Sequence, residues 1–148
     1  MEVKKGFFQG EKYKDIILTI GFYDGIHKGH QKIFNYITDQ AKRRRRKSCV
    51  ITFSSPPLEF FSGKSLPLLT SWQEKEEILA NIGIDLIVLL DFTFQLASLS
   101  PYSFMKKIKR NLEINKIVVG EDFVFGKGKE GNIDWLKENE KIFGYKLK

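Results

Sequence analysis

Short apolar runs alternate with helical patterns along this chain, and this alternation limits the folds that it can adopt. Runs rich in β-branched residues indicate buried strands at 15–21 (DIILTIG), 48–53 (SCVITF), 86–90 (LIVLL) and 116–120 (KIVVG). A helical pattern or a helix start signal follows each of them. Strands that alternate with helices favour parallel pairing through crossover helices. We therefore predict an α/β fold with a doubly wound parallel sheet.

The helices are marked by apolar spacing and by capping residues. Apolar residues recur every three or four positions from about residue 30 into a basic run at 42–47. A capping box, S-W-Q-E, opens a helix over 71–83, and a Ser-Pro pair starts another at residue 100. An asparagine caps a last helix over 132–144. These signals complete a β-α-β-α-β-α-β-α order.

The length of 148 residues fits a single domain, and 42% hydrophobic with 29% charged residues excludes a disordered chain. Apolar runs are too short for a membrane helix, and the N-terminus lacks the apolar segment of a signal peptide. A single cysteine, Cys49, cannot form an internal disulfide. We therefore expect a cytoplasmic protein without membrane partners. The last residues, 145–148, alternate like the start of a strand, so we expect a chain that is incomplete at its C-terminus.

The net charge of +7 is compatible with nucleic acid, an anionic membrane surface or phosphate-rich small molecules as partners. The basic run at 42–47 lies at the end of a predicted helix, where cations complement the helix dipole. It lacks the interleaved aromatic residues of nucleic-acid sites. We expect a solvated helix end and no nucleic-acid partner.

Both histidines of the chain, His27 and His30, lie in the segment GFYDGIHKGH between the first strand and the first helix. In open α/β sheets, ligands bind at the carboxyl ends of strands, and phosphates favour helix N-termini. Gly21, Gly25 and Gly29 permit close approach of the backbone to a ligand. The segment therefore favours a phosphate site. Two alternatives stay open: histidines that stabilise the turn without a ligand, and a metal pair with Asp24 as a third ligand.

This segment resembles the HxGH signature of the nucleotidyltransferase superfamily. More narrowly, the chain is similar to the adenylyltransferase module of bacterial bifunctional riboflavin kinase/FMN adenylyltransferases, the FAD synthetases. Four segments in the same order carry the resemblance: IGFYDGIHKGHQ, TFSSPPLEFF, LLTSWQEKEEIL and VVGEDFVFGKGKEGN. The chain departs from the family pattern at Phe22, where the family has Asn, at Val124, where it has Arg, and at 54–56, where it has Glu-Pro-His.

The resemblance implies a Rossmann-like nucleotidyltransferase fold and an enzyme that transfers AMP from ATP to FMN, giving FAD and pyrophosphate. It implies ATP and FMN as substrates, Mg²⁺ as a cofactor, and residues 1–148 as a monomeric adenylyltransferase domain without the riboflavin kinase domain. Alternatives are a fragment that binds nucleotide or flavin without turnover, and an HxGH enzyme that uses another phosphorylated acceptor.

The resemblance also implies roles for individual residues. The predicted catalytic residues are His27, His30 and Asp24. The predicted ATP-binding residues are Gly21, Phe22, Tyr23, Gly25, His27, Gly29 and His30. The predicted FMN-binding residues are Phe53, Pro56, Pro57, Phe61, Asp122, Phe123, Phe125 and Lys127. The alternative for the aromatic residues is a place in the core, and for Lys127 a place in a solvated loop. The resemblance identifies no protein ligand for the metal.

Overall fold

Alternating strands and helices build the protein, whose computed structural model describes residues 1–7, 10–26, 28–54 and 71–148. The strands are β1 (Glu2–Lys5), β2 (Tyr13–Ile20), β3 (Lys47–Phe53), β4 (Leu86–Leu90), β5 (Leu112–Ile117) and β6 (Lys146–Leu147). The helices are α1 (Lys28–Arg44), α2 (Trp72–Ile82), α3 (Phe94–Ala97), α4 (Pro101–Lys109), α5 (Ile133–Glu138) and α6 (Glu140–Phe143), with a 3₁₀ turn at Lys127–Lys129.

The strands form one sheet in the order β1-β4-β3-β2-β5-β6, and every neighbouring pair is parallel. From β2 the chain winds outward through β3 to β4, and it then returns to add β5 on the other side of β2. The predicted doubly wound α/β fold is therefore confirmed. Its winding reverses between β2 and β5, and ligands bind at such reversal points in folds of this class.

Side chains of β2 alternate between the two faces of the sheet. Ile16, Leu18 and Ile20 join a core with α4, α5 and α6, whereas Ile17 joins a second core with α1 and α2. All four side chains are at most 1% exposed. A strand that is covered on both faces has no polar side of its own, which explains its continuous apolar run.

The fourth predicted strand, 116–120, is placed too late in the chain. The observed strand β5 ends at Ile117. The N–H group of the next residue, Val118, donates a last hydrogen bond of 2.8 Å to the Leu18 carbonyl of β2. The sequence of β5, LEINKI, mixes buried with more exposed residues and has no continuous apolar run, so its first four residues were not predicted.

Three smaller differences concern the first strand, one short helix and the last helix. The polar strand β1, EVKK, was not predicted, because it lies at a sheet edge and pairs only with β4 among the described strands. The short helix α3, capped by Thr93, was also missed. The predicted helix over 132–144 is divided at Asn139, whose side-chain amide donates to the Trp135 carbonyl at 2.8 Å. The predicted strand start at 145–148 is confirmed by the pairing of β6 with β5.

Candidate active-site cleft

A cleft of about 370 Å³ opens between the carboxyl ends of β2 and β5, where the winding of the sheet reverses. It brings together two segments that lie about 90 residues apart in the chain. Its lining consists of Ile20, Gly21, Phe22, Tyr23, Gly29, His30, Ile33, Gly120, Glu121, Asp122 and Phe123. Seven of the predicted site residues are in this lining: Gly21, Phe22, Tyr23, Gly29, His30, Asp122 and Phe123.

Tyr23 turns its ring inward and supports the wall of the cleft. Its φ of 58° lies in the left-handed region, which a tyrosine rarely adopts, and only 8% of the residue is exposed. Its hydroxyl group bonds to the Thr19 hydroxyl and donates to the Ile20 carbonyl at 3.3 Å. Burial raises the pKa of this hydroxyl to about 12, so it stays protonated at neutral pH.

The buried Tyr23 ring contacts the first turns of α1. Its centroid lies 4.9 Å from that of His30 and 4.8 Å from that of Phe34, both in edge-to-face geometry. Such aromatic pairs are directional, so the ring of Tyr23 orients the imidazole of His30. His30 is partly buried in the first turn of α1, beside the cleft.

Gly21 makes room for the Tyr23 ring. A Cβ atom at residue 21 would lie 2.8 Å from the Tyr23 Cζ atom, closer than real Cβ contacts. A side chain at this position would therefore displace the ring that supports His30. Glycine is needed at this position because the ring approaches its backbone closely, and not because of a positive φ.

Of the predicted histidine pair, only His30 is placed, because His27 lies outside the described residues. Within ranges 1–7, 10–26, 28–54 and 71–148, no three His, Cys, Asp or Glu side chains are placed to hold a metal ion. Asp24 and Gly25 occupy the half-buried turn before α1, and they do not belong to the lining of the cleft as far as the structure describes it. Gly25 adopts a φ of 75° there.

On the opposite wall, Phe123 lines the cleft and Phe125 lies beneath it. Their rings stack with 5.4 Å between centroids. Phe125 is 8% exposed, exchanges two backbone bonds with Gly131 and packs edge-on against Trp135. Phe125 therefore belongs to the core and lies outside the described lining of the cleft, and its contact with FMN stays a prediction.

Other predicted FMN-binding residues lie away from this cleft or outside the description. Phe53, 9% exposed, packs at the end of β3 against Phe92, with 5.6 Å between ring centroids. Lys127 is exposed, and its backbone N–H donates to the Leu99 carbonyl at 2.7 Å. Neither is part of the described lining, since Phe53 packs in the core and Lys127 is exposed, and their contacts with FMN stay predictions. Pro56, Pro57 and Phe61 lie outside the described residues.

Lys75 is a residue of this region that the sequence analysis missed. It is 3% exposed on α2, and its Nζ atom donates to the Phe22 carbonyl at 2.6 Å. The same nitrogen lies 4.0 Å from the centroid of the Phe22 ring. Its position four residues before the buried Leu79 is the signal that could have found it, because both then share the inner face of the helix.

Burial lowers the pKa of the Lys75 ammonium group from 10.5 to about 8, and the negative charge of Asp24 opposes part of this shift. The unfolded chain therefore binds this proton more tightly than the folded protein does. The cost of burying the charge is fully present below about pH 8 and is relieved as the pH rises toward 10.5.

We expect this relief to raise the free energy of unfolding by about 1 kcal/mol between pH 7 and pH 9. Chemical denaturation at pH 7, 8 and 9 measures the rise, and the variant Lys75→Met should lack it. The series stops at pH 9, because ionisation of the buried Cys49 thiol in the unfolded chain opposes the effect above its ordinary pKa of 9.0. Equal slopes in both proteins would contradict the assignment to Lys75.

In the described part of the chain, no helix is both long and apolar enough to cross a membrane. Among solved structures, a protein described as a macrolide-efflux protein from Streptococcus pneumoniae has a similar fold. The TM-score is 0.74 at 30% identity, and the match covers 90% of this chain and 44% of that one.

Curated relatives bear the names that the resemblance predicts. A bifunctional riboflavin kinase/FMN adenylyltransferase from Buchnera aphidicola (subsp. Schizaphis graminum) is 36% identical over 132 residues, which cover 88% of this chain and 42% of the relative. The Escherichia coli K12 protein of the same name is 31% identical, with the same coverage. A FAD synthetase from Listeria monocytogenes is 36% identical over 82% of this chain and 50% of its own length.

This chain thus spans half or less of the length of these relatives. The sequence model of the FAD synthetase family matches residues 9–148, nearly the whole chain. The predicted family is therefore confirmed: this chain belongs to the FAD synthetase family.

Proposed function

We propose that this chain is an FMN adenylyltransferase, which transfers AMP from ATP to FMN and releases pyrophosphate. The observation that carries the proposal is the cleft at the reversal point of the sheet, where the His30 segment faces the segment 120–123. Membership of the FAD synthetase family, and the names of the relatives, support the same reaction. We also propose that residues 1–148 act as one adenylyltransferase domain.

In this reaction a phosphate oxygen of FMN attacks the α-phosphorus of ATP. A P–O bond forms there. The bond between the α-phosphorus and the oxygen that bridges to the β-phosphate breaks, and pyrophosphate leaves with its electron pair. Such a transfer needs no nucleophile from the protein, so alignment and charge stabilisation supply the acceleration.

The residues of the cleft suit these two tasks. His30, in the first turn of α1, would donate to the ATP phosphates, and Gly29 would let the backbone approach them. The predicted role of His27 remains part of the proposal. Phe123 offers an apolar surface for the flavin ring on the opposite wall, where it is backed by the stacked Phe125.

The proposed cofactor is Mg²⁺, and the carboxylates of the cleft are suited to it. This ion keeps several waters and binds through substrate phosphates together with one or two carboxylates. Glu121 and Asp122 are exposed carboxylates in the lining, so these two residues would hold the ion. When bound, the ion neutralises charge on the triphosphate.

We further propose a cytoplasmic monomer without a nucleic-acid partner. The buried Cys49 is compatible with a reducing compartment. In the basic run, Arg43 pairs with Asp39 at 3.1 Å, and Arg46 donates to the Asn115 side chain at 3.0 Å. One of these contacts lies within α1 and the other reaches β5, and both support a structural role for the run.

The test is to incubate the protein with FMN, ATP and Mg²⁺, and to separate the flavins by chromatography. We expect FAD and an equal amount of pyrophosphate, and we expect EDTA to abolish both. Binding of ATP or FMN without FAD would favour the alternative of a binding fragment. A folded protein that neither binds nor reacts would refute the proposed function.

A further inference from the structure

Lys75 is a buried charge that the proposed chemistry does not use. Lysine is seldom buried without a specific partner, because an ammonium group loses its hydration there. At 3% exposure, Lys75 lies one helical turn before Leu79 on the inner face of α2. An apolar residue would fill this place without that cost.

The contacts of Lys75 are concentrated on one residue of the cleft. Its Nζ atom reaches both the carbonyl oxygen of Phe22, at 2.6 Å, and the centre of the Phe22 ring, at 4.0 Å. The Thr52 hydroxyl donates to the same carbonyl at 2.9 Å, so both lone pairs of that oxygen are engaged. Lys75 thereby holds the backbone and the side chain of Phe22 together.

Phe22 is where the chain leaves β2 and begins the wall of the cleft. The next residues are Tyr23, whose ring orients His30, and Asp24, whose charge attracts Lys75. A displacement at Phe22 would therefore pass directly to the residues proposed to contact ATP. The Thr52 hydroxyl holds the carbonyl alone, and the Phe22 ring also packs, partly buried, against the core.

We propose that Lys75 is a positioning residue that holds Phe22, and through it the loop at 21–26, in the conformation that binds ATP. This inference rests on the proposed function. Lys75 would thus act on the wall proposed to bind ATP, because the segment 120–123, proposed to contact the flavin, forms the opposite wall.

The variant Lys75→Met separates positioning from stability. Methionine retains the apolar stem but has neither charge nor donor, and replacing a buried charge by an apolar residue is often neutral or stabilising. We expect an unchanged or higher Tm, a kcat/KM for ATP about 10-fold to 100-fold lower, and a KM for FMN within about twofold of wild type.

Two further variants serve as controls. Lys106→Met removes an exposed lysine of α4 and should leave the Tm and both kinetic parameters unchanged. Lys75→Gln keeps an N–H donor without the charge, so we expect an intermediate kcat/KM for ATP. This variant carries the test if Lys75→Met does not fold, and failure of both to fold would refute positioning in favour of a structural role.

Direct measurement of ATP binding by calorimetry distinguishes failure of this inference from failure of the proposed function. If wild type binds ATP but forms no FAD, an affinity about 10-fold weaker in Lys75→Met would still support positioning. Wild-type affinity and kcat/KM in Lys75→Met would overturn it. So would an equal loss for ATP and FMN together with a lower Tm, and so would a wild-type protein that does not bind ATP.

Discussion

The variant His30→Ala is expected to slow FAD formation by about 100-fold or more while FMN affinity stays nearly unchanged. The imidazole lies in the first turn of α1 beside the cleft, where it would donate to phosphate oxygens that gain charge as the α-phosphorus is attacked. Loss of such a donor acts on the transition state more than on the bound substrates. Initial rates of FAD formation measure the first effect, and titration with FMN measures the affinity separately.

A second variant, His30→Phe, separates the donor from the ring. It preserves an aromatic partner for Tyr23, whose centroid lies 4.9 Å from that of His30, but it cannot donate to phosphate. We expect it to be as slow as His30→Ala while keeping a Tm close to wild type. A wild-type rate in His30→Ala would remove His30 from the site, and recovery in His30→Phe would show that the ring acts by packing.

The variant Gly21→Ala is expected to lower the free energy of unfolding by about 1–3 kcal/mol and to impair AMP transfer as well. The added Cβ would lie 2.8 Å from Cζ of Tyr23, so the ring must move. That ring is buried, bonded through its hydroxyl to Thr19, and packed against His30 and Phe34. Movement would therefore disturb both the core beside α1 and the orientation of His30.

Gly120→Ala is the matched stability control for this variant. Gly120 also follows a strand at the cleft, but a Cβ there would meet no atom of the described residues within 4 Å. We expect thermal unfolding to show a lower Tm for Gly21→Ala and little change for Gly120→Ala. In a Tyr23→Ala background the cost of Gly21→Ala should largely disappear, because its clash partner is gone. An unchanged Tm in Gly21→Ala would contradict the clash.

Prediction of the strands succeeded where both faces of the sheet are covered. The runs at 48–53 and 86–90 match β3 and β4 to within one residue, because central strands in parallel sheets are apolar throughout. The prediction was less accurate for β5, which mixes buried with more exposed residues, and it missed the edge strand β1. Partial exposure leaves polar residues in such strands, so their sequences do not stand out.

The structure brings the predicted residues of the β2–α1 loop together at the cleft, and fewer of those predicted elsewhere. Gly21, Phe22, Tyr23 and His30 are neighbours in the chain, and their motif places them together at a strand end. Lys75 lies 53 residues from Phe22, and no local pattern reports that contact. Phe123 and Phe125 are two residues apart in one motif, yet one lines the cleft and the other lies in the core.

Local periodicity and contiguous motifs were enough to predict the α/β class, the order of the main elements, the family and the loop that carries His30. The folded arrangement was needed to show that β5 lies beside β2, that Tyr23 supports His30, and that Lys75 reaches Phe22. Each of these joins segments through packing across the sheet or between a helix and a loop. Such contacts depend on the whole arrangement of the core, and neither apolar spacing nor capping residues encode them locally.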